Sequence, residues 1–230
     1  MNYLFLLRMI KSSIGRKQLM AVSGILLSFF MLIHLAENLL LFKGEEWYNG
    51  WVNILLSNPL TIYLEIGLLI LFLLHITTGV WVRIEDWVNS RKRKYENINW
   101  QGGRTVGSAT MLYTAIALLI YLGFHMLHFR FTDHSMGFYQ MVTSAFRSKL
   151  FVTIYIAGAA ALALHLSHGF QSAFQTLGIN HKKYNFYIKA LSYAVGISMV
   201  AFAAISIYFL LGLDIKPEAE YNNVIETIIE

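Results

Sequence analysis

Five apolar runs, each long enough to cross a lipid bilayer, constrain the fold of this chain more than any other feature. A membrane-spanning helix needs about 20 consecutive apolar residues, and such runs occur at residues 18–42, 60–83, 105–129, 149–170 and 188–213. None alternates in the way of a barrel strand, so the backbone must satisfy its hydrogen bonds as helices. Charged residues make up only 13% of the chain, against about 25% in soluble domains. The sequence predicts an all-α transmembrane bundle of five helices.

The distribution of lysine and arginine predicts the orientation of this bundle. Thirteen of the 18 lie in the N-terminal segment and in the second and fourth connections, and five lie on the opposite side. By the positive-inside rule, the N-terminus is cytoplasmic and the C-terminus outside. We expect three parts: an interfacial amphipathic helix over residues 1–17, the membrane domain over 18–213 and an acidic outer tail over 214–230. Basic residues scattered beside a membrane favour lipid contact, and we expect no nucleic-acid partner.

Four of the eight histidines lie inside apolar runs, one on each of the first four helices: His34, His75, His125 and His165. An ionisable residue within a membrane span indicates a functional site by default. A single buried histidine is more often a neutral side chain that hydrogen-bonds a neighbouring helix. Four on consecutive helices favour a shared function.

The depth of each histidine in the membrane predicts two pairs. At about 1.5 Å per residue, His34 and His125 lie about 24–30 Å from the cytoplasmic helix ends, whereas His75 and His165 lie about 9–12 Å from theirs. We therefore expect an outer pair, His34 with His125, and an inner pair, His75 with His165. The separation excludes one four-histidine metal site.

Two facing imidazoles suit the axial positions of a haem iron, whereas zinc needs four ligands. The chain has no cysteine, so the haems are non-covalent and b-type. Gly79 and Gly169 each follow an inner histidine, one helical turn later, and a glycine there leaves room for a porphyrin. The alternative for these glycines is a small-residue helix contact. Two such haems carry electrons across the bilayer between a lipid-soluble carrier and a soluble partner at the basic cytoplasmic face.

Several segments resemble the dihaem cytochrome b subunit of succinate:quinone oxidoreductases, the succinate dehydrogenases and fumarate reductases. They are Ile33-His34-Leu35-Ala36-Glu37-Asn38, Leu64-Glu65-Ile66, His75-Ile76-Thr77-Thr78-Gly79-Val80, Phe124-His125 and His165-Leu166-Ser167-His168-Gly169. The resemblance implies an inner haem on His75 and His165, nearest the iron–sulfur subunit, and an outer haem on His34 and His125.

The same resemblance implies a place in an enzyme complex of a bacterial cytoplasmic membrane. The partners are a flavoprotein with FAD and the dicarboxylate site and an iron–sulfur subunit on the cytoplasmic side. The carrier is menaquinone. A quinone near the outer haem needs a group that exchanges protons. Glu37, Glu65 and Glu45 or Glu46 lie on that side, and Glu37 and Glu65 are the candidates. Some fumarate reductases have a glutamate shortly before the histidine of the fourth helix, where this chain has Ala163.

Two other functions are compatible with parts of this pattern. The chain could be the two-haem cytochrome b of a quinone-linked formate dehydrogenase or hydrogenase, although histidines on four of five helices fit that class less well. It could also be a transporter or a structural anchor with incidental histidines. Bound haem separates the transporter or structural anchor from both kinds of cytochrome b.

Overall fold

The computed structural model describes residues 11–88, 106–179 and 181–214, and within them the regular secondary structure is entirely helical. Eight α-helices occur in these residues, numbered here in chain order. They are α1 Ser13–Asn38, α2 Glu45–Ser57, α3 Leu60–Val88, α4 Val106–His125, α5 Phe138–Ala145, α6 Lys149–Thr176, α7 Lys182–Ser198 and α8 Val200–Leu210. The predicted all-α class is confirmed.

Among the described residues, five helical segments are long and apolar enough to cross a membrane, as the sequence predicted. They are span 1 Ser13–Lys43, span 2 Leu60–Val88, span 3 Val106–Arg130, span 4 Lys149–Thr176 and span 5 Lys182–Leu210. Residues 13–17, expected in a separate interfacial helix, are the first residues of span 1. Residues 1–10 and 215–230, which hold most of the expected interfacial helix and acidic tail, lie outside the described residues. The cytoplasmic N-terminus stays a prediction.

Local chemistry explains where the first two spans begin. Span 1 starts after Ser12, whose hydroxyl accepts a hydrogen bond from the Gly15 amide at 2.9 Å and so caps the helix. Span 2 starts after Asn58-Pro59, and the Asn58 side chain accepts from the Leu60 amide at 3.0 Å. Pro59 favours this helix start because its ring fixes φ near the helical value.

Span 4 is the central helix of the bundle and packs against spans 1, 3 and 5, while span 2 packs mainly on span 1. Span 5 approaches span 4 closely at Gly196, where an added Cβ would lie 2.7 Å from the Ala163 carbonyl oxygen. The fully buried Ser192 hydroxyl joins the same two spans, 2.5 Å from the Ser167 carbonyl oxygen. Span 5 therefore packs mainly on span 4.

Two short helices cover one end of the bundle, which we call the outer end: α2 and α5, in the connections after spans 1 and 3. The Tyr139 amide donates to the Asn49 side chain at 2.9 Å, which ties α5 to α2. Arg147 binds Asp214 at 2.6 Å and the Phe209 carbonyl oxygen at 2.5 Å, which fixes the end of span 5.

The opposite end, which we call the inner end, has a charged cluster between spans 1 and 2. Arg16 is buried, pairs with Glu85 and lies 5.4 Å above the Trp81 ring. Lys17 lies 3.8 Å from Asp86. These contacts fix the register of span 1 against span 2 and so the relative heights of their histidines.

Candidate functional site

The inner pair is formed by His75 on span 2 and His165 on span 4. Their ring centres are 6.4 Å apart and the ring planes are inclined by 79°. His75 lies 13 residues before the inner end of span 2, and His165 lies 11 residues before that of span 4. By the helix rise these are about 16–20 Å, more than the sequence predicted, because both spans extend past the apolar runs. The structure thus brings together the two histidines expected to share a site.

The inner histidines are held through Nδ1. Nδ1 of His75 lies 3.1 Å from the Met20 carbonyl oxygen and 3.2 Å from the Ser23 hydroxyl. Nδ1 of His165 lies 3.4 Å from the Thr114 hydroxyl. The contacts to each ring come from the preceding span, span 1 for His75 and span 3 for His165. They leave Nε2 of each ring available as a ligand atom.

The outer pair is formed by His34 on span 1 and His125 on span 3. The ring centres are 6.0 Å apart and the planes are nearly perpendicular, at 87°. Nδ1 of His125 lies 3.1 Å from the Tyr155 hydroxyl. The α-helix ends at His125 and a π-helical turn, Met126–Arg130, follows it, an irregularity that is frequent at functional sites.

Aromatic rings surround the outer pair. One turn before each outer histidine, an aromatic ring stacks on the imidazole: Phe30 on His34 at 5.5 Å and Tyr121 on His125 at 5.9 Å. Phe202 of span 5 approaches His34 at 5.8 Å. These rings restrict the orientation of both imidazoles.

The geometry of both pairs fits one metal atom held between two imidazoles. A metal–imidazole bond is about 2 Å long, so two bonds span about 4 Å of the 6.0 Å or 6.4 Å between ring centres. The remainder, about 1 Å on each side, matches the distance from a ring centre to its nitrogen. In the described part of the chain, no group of three or more His, Cys, Asp or Glu side chains could hold a metal ion. Within the described residues, each pair therefore offers two histidines and no third ligand of these types.

Gly79 and Gly169 are not tight helix contacts. A Cβ added at Gly79 would lie 3.7 Å from the Met20 sulfur, and one added at Gly169 would lie 3.8 Å from the Met111 methyl carbon. Both are ordinary van der Waals distances, so helix packing does not require glycine at either position. In both cases the neighbour is a methionine, a flexible side chain that fills gaps and moves readily.

The two glutamates expected near a quinone have different surroundings. Glu37 lies beside the outer pair, with Oε2 3.8 Å from Nδ1 of His34. Glu65 instead forms an ion pair with Arg130 at 3.0 Å, and both side chains are partly exposed. Glu37 also influences Tyr48 in α2. Burial, and to a smaller extent the negative charge of Glu37, raise the pKa of Tyr48 to about 12.

Ala163, at the position where some fumarate reductases have a glutamate, is partly buried and packs against the core that spans 4 and 5 share. Its carbonyl oxygen faces Gly196 of span 5. This part of span 4 is therefore a close helix–helix contact.

A cleft of about 300 Å³ opens at the outer end beside span 3. Its lining combines polar groups with apolar side chains: His128, Thr132, Asp133, Met136, Met141, Ser144, Ala145, Ser148 and Phe151. The His128 ring packs on Phe151 at 4.2 Å, so its main contacts are aromatic. Hydrogen bonds from Ser135 hold the pKa of Asp133 below its usual value.

The fold and the paired histidines define a class: a helical protein with five potential membrane spans and two facing histidine pairs at different depths. Residues 18–100 match the family model described as succinate dehydrogenase/fumarate reductase transmembrane subunit. This match confirms the resemblance found in the sequence, and proteins of that family are membrane subunits of enzyme complexes. It covers His34 and His75 and ends before His125. No curated protein and no solved structure matches the chain.

Sequence reasoning missed the side chains that hold the inner histidines, Ser23 and Thr114. A signal was present, because each precedes the outer histidine of its own span by the same interval. A hydroxyl residue in an apolar helix is common, however, and its contact with the neighbouring span depends on how the two helices are rotated. Only the folded bundle places these hydroxyls against Nδ1.

Proposed function

We propose that this chain is the dihaem cytochrome b anchor of a succinate dehydrogenase or fumarate reductase complex. It carries electrons between menaquinone and an iron–sulfur subunit through two b-type haems, one at the inner pair and one at the outer pair. The observation that supports this most strongly is the pairing of the four membrane histidines at two depths, with ring separations of 6.4 Å and 6.0 Å.

The residues that would hold the inner haem are His75 and His165, and those that would hold the outer haem are His34 and His125. When bound, each haem would supply one-electron transfer. The residues of the chain would bind the two haems and orient the histidine rings that hold them. Hydrogen bonds at Nδ1 of His75, His165 and His125 fix the rings so that Nε2 is the ligand atom, as is usual for metal-binding histidines.

Gly79 and Gly169 line the inner haem in this proposal. Packing does not explain either glycine, and the neighbouring Met20 and Met111 side chains can move aside. A flat ring can then approach the backbone of spans 2 and 4 one turn from each inner ligand.

The quinone reacts at the outer end, beside the outer pair. Glu37 is the better of the two predicted proton-exchanging groups because its carboxylate lies 3.8 Å from His34, whereas Glu65 is already paired with Arg130. A carboxylate in contact with the outer pair and near the aqueous boundary can pass protons between a reacting quinone and water.

The soluble partners bind at the inner end, which is cytoplasmic by the charge distribution. They are the iron–sulfur subunit and, beyond it, the flavoprotein that carries FAD and the dicarboxylate site. The inner pair lies nearest this surface, so it is the first site to exchange electrons with the iron–sulfur subunit. The complex resides in a bacterial cytoplasmic membrane.

A reduced-minus-oxidised absorption spectrum of the purified chain, combined with haem quantification, tests the proposal. We expect low-spin b-type bands at roughly 560 nm, the wavelength region of bis-imidazole haem, and two haems per chain. A chain purified from haem-replete cells without these bands is a structural anchor or a transporter. Copurification with the flavoprotein and iron–sulfur subunits then separates this family from the formate dehydrogenase and hydrogenase types.

A further inference from the structure

Spans 1 and 2 share a pattern with spans 3 and 4. We call spans 1 and 2 the first half and spans 3 and 4 the second half. In the first helix of each half, a methionine and a hydroxyl residue one turn later precede the outer histidine at identical spacings. These positions are Met20, Ser23 and His34 in span 1 and Met111, Thr114 and His125 in span 3. In the second helix of each half, the inner histidine is followed one turn later by the glycine that faces this methionine. Each half therefore builds the environment of one inner histidine from its own two helices.

The hydrogen of the Ser23 hydroxyl has two carbonyl acceptors within span 1. Its Oγ donates to the carbonyl oxygen of Leu19 at 2.8 Å, with that of Met20 also within reach at 3.0 Å. A hydroxyl has one hydrogen, so toward Nδ1 of His75 it acts as an acceptor. The Met20 carbonyl oxygen, 3.1 Å from the same Nδ1, can only accept. Both contacts require the proton of His75 to be on Nδ1.

Thr114 is in the same position toward His165. Its Oγ1 donates to the carbonyl oxygen of Met111 at 3.0 Å or of Thr110 at 3.2 Å. The Thr114 hydroxyl then accepts from Nδ1 of His165, at 3.4 Å. Within the residues that the structure describes, Nδ1 of His165 has no carbonyl acceptor of the kind that Met20 offers to His75.

We infer that Ser23 and Thr114 are positioning residues that fix the tautomer of the two inner histidines. Each holds its histidine with the proton on Nδ1, so that Nε2 presents its lone pair to a haem iron. This inference rests on the proposed function. The two hydroxyls differ in importance. His75 keeps the Met20 carbonyl oxygen as an acceptor if the Ser23 hydroxyl is removed, whereas His165 depends on Thr114.

Thr114→Val, which keeps the side-chain volume and removes the hydroxyl, is the main test. Loss of the hydrogen bond at the ring nitrogen that does not bind the metal lowers metal affinity about 10- to 100-fold. We therefore expect a decrease of that size in haem affinity at the inner site. The midpoint potential of the inner haem rises, because the imidazole becomes less basic, while the outer haem keeps its potential. Ser23→Ala has a smaller effect, and Thr114→Ser restores wild-type behaviour.

Two matched controls come from the same helices. Thr110 and Ser28 also bond a carbonyl oxygen one turn earlier, at 2.9 Å and 2.8 Å, and neither bonds a histidine. Thr110→Val and Ser28→Ala therefore remove a similar hydroxyl without touching a ring. The inference is wrong if Thr114→Val behaves like Thr110→Val, or if Ser23→Ala has the larger effect.

A measurement on the unsubstituted protein does not depend on any variant folding. Nitrogen-15 shifts of histidine in the haem-free chain distinguish the two tautomers, and we expect the Nδ1–H form for His75 and His165. The Nε2–H form at either residue overturns the inference. If the wild-type chain binds no haem at all, the proposed function fails as well, whereas two bound haems with an unaffected Thr114→Val chain remove only this inference.

Discussion

Gly79→Ala separates a role in binding a cofactor from a role in helix packing. Without a cofactor the new methyl group meets only the Met20 sulfur, at 3.7 Å, which is ordinary contact. Alanine is favoured over glycine in a helix interior by about 1 kcal/mol. We therefore expect the haem-free variant to be as stable as the wild-type chain or slightly more stable.

The loaded protein behaves differently if a porphyrin lies against Gly79. The methyl group projects one turn from His75, on the face where the ring approaches the backbone. Overpacking of this kind costs about 1–3 kcal/mol. Because about 1.4 kcal/mol corresponds to a tenfold change in binding, the inner site should lose about 5- to 150-fold in haem affinity.

The assay is a haem titration of the purified haem-free chain in detergent, followed by Soret absorbance, with thermal unfolding measured in parallel. Gly67→Ala on the same span is the control, because a Cβ there has no heavy atom within 4 Å. Wild-type haem affinity in Gly79→Ala refutes the proposed contact with the porphyrin. A lower unfolding temperature of the haem-free variant refutes the packing argument itself.

Two further changes have defined outcomes. In Gly158→Ala the new Cβ would lie 2.5 Å from the Tyr121 ring that stacks on His125. We expect a loss of about 1–3 kcal/mol in unfolding free energy, measured by thermal unfolding. We also expect a lower content of the outer haem, measured by redox titration. Tyr48, whose pKa is raised from 10.0 to about 12, should stay neutral at a pH where an ordinary tyrosine ionises. Glu37→Gln should lower that pKa, and ultraviolet titration against Tyr48→Phe measures it; an unchanged value contradicts the assigned influence of Glu37.

The sequence was sufficient to predict the five spans and the grouping of histidines by depth. Both predictions depend only on apolar composition and on helix geometry, since a span needs about 20 residues and each residue advances the helix by about 1.5 Å. His34 and His125 could therefore be placed at similar heights before any contact between them was known.

Contacts around the helix axis could not be predicted in the same way. The spans are apolar on nearly all sides, so their sequences do not reveal which face meets which neighbour. The ion pair between Glu65 and Arg130 and the approach of Gly158 to Tyr121 depend on helix rotation and loop path. For the same reason the sequence did not reveal that Glu65 is paired with Arg130 while Glu37 lies beside His34.

The most direct test of the central claim is the pattern of haem loss when each membrane histidine is replaced by alanine in turn. The two haems are resolved by redox titration or by their low-spin ferric signals. We predict that His75→Ala and His165→Ala lose one and the same haem, and that His34→Ala and His125→Ala lose the other. Loss of the same haem in His34→Ala and His75→Ala, or retention of both haems in any of the four variants, contradicts the two-pair site.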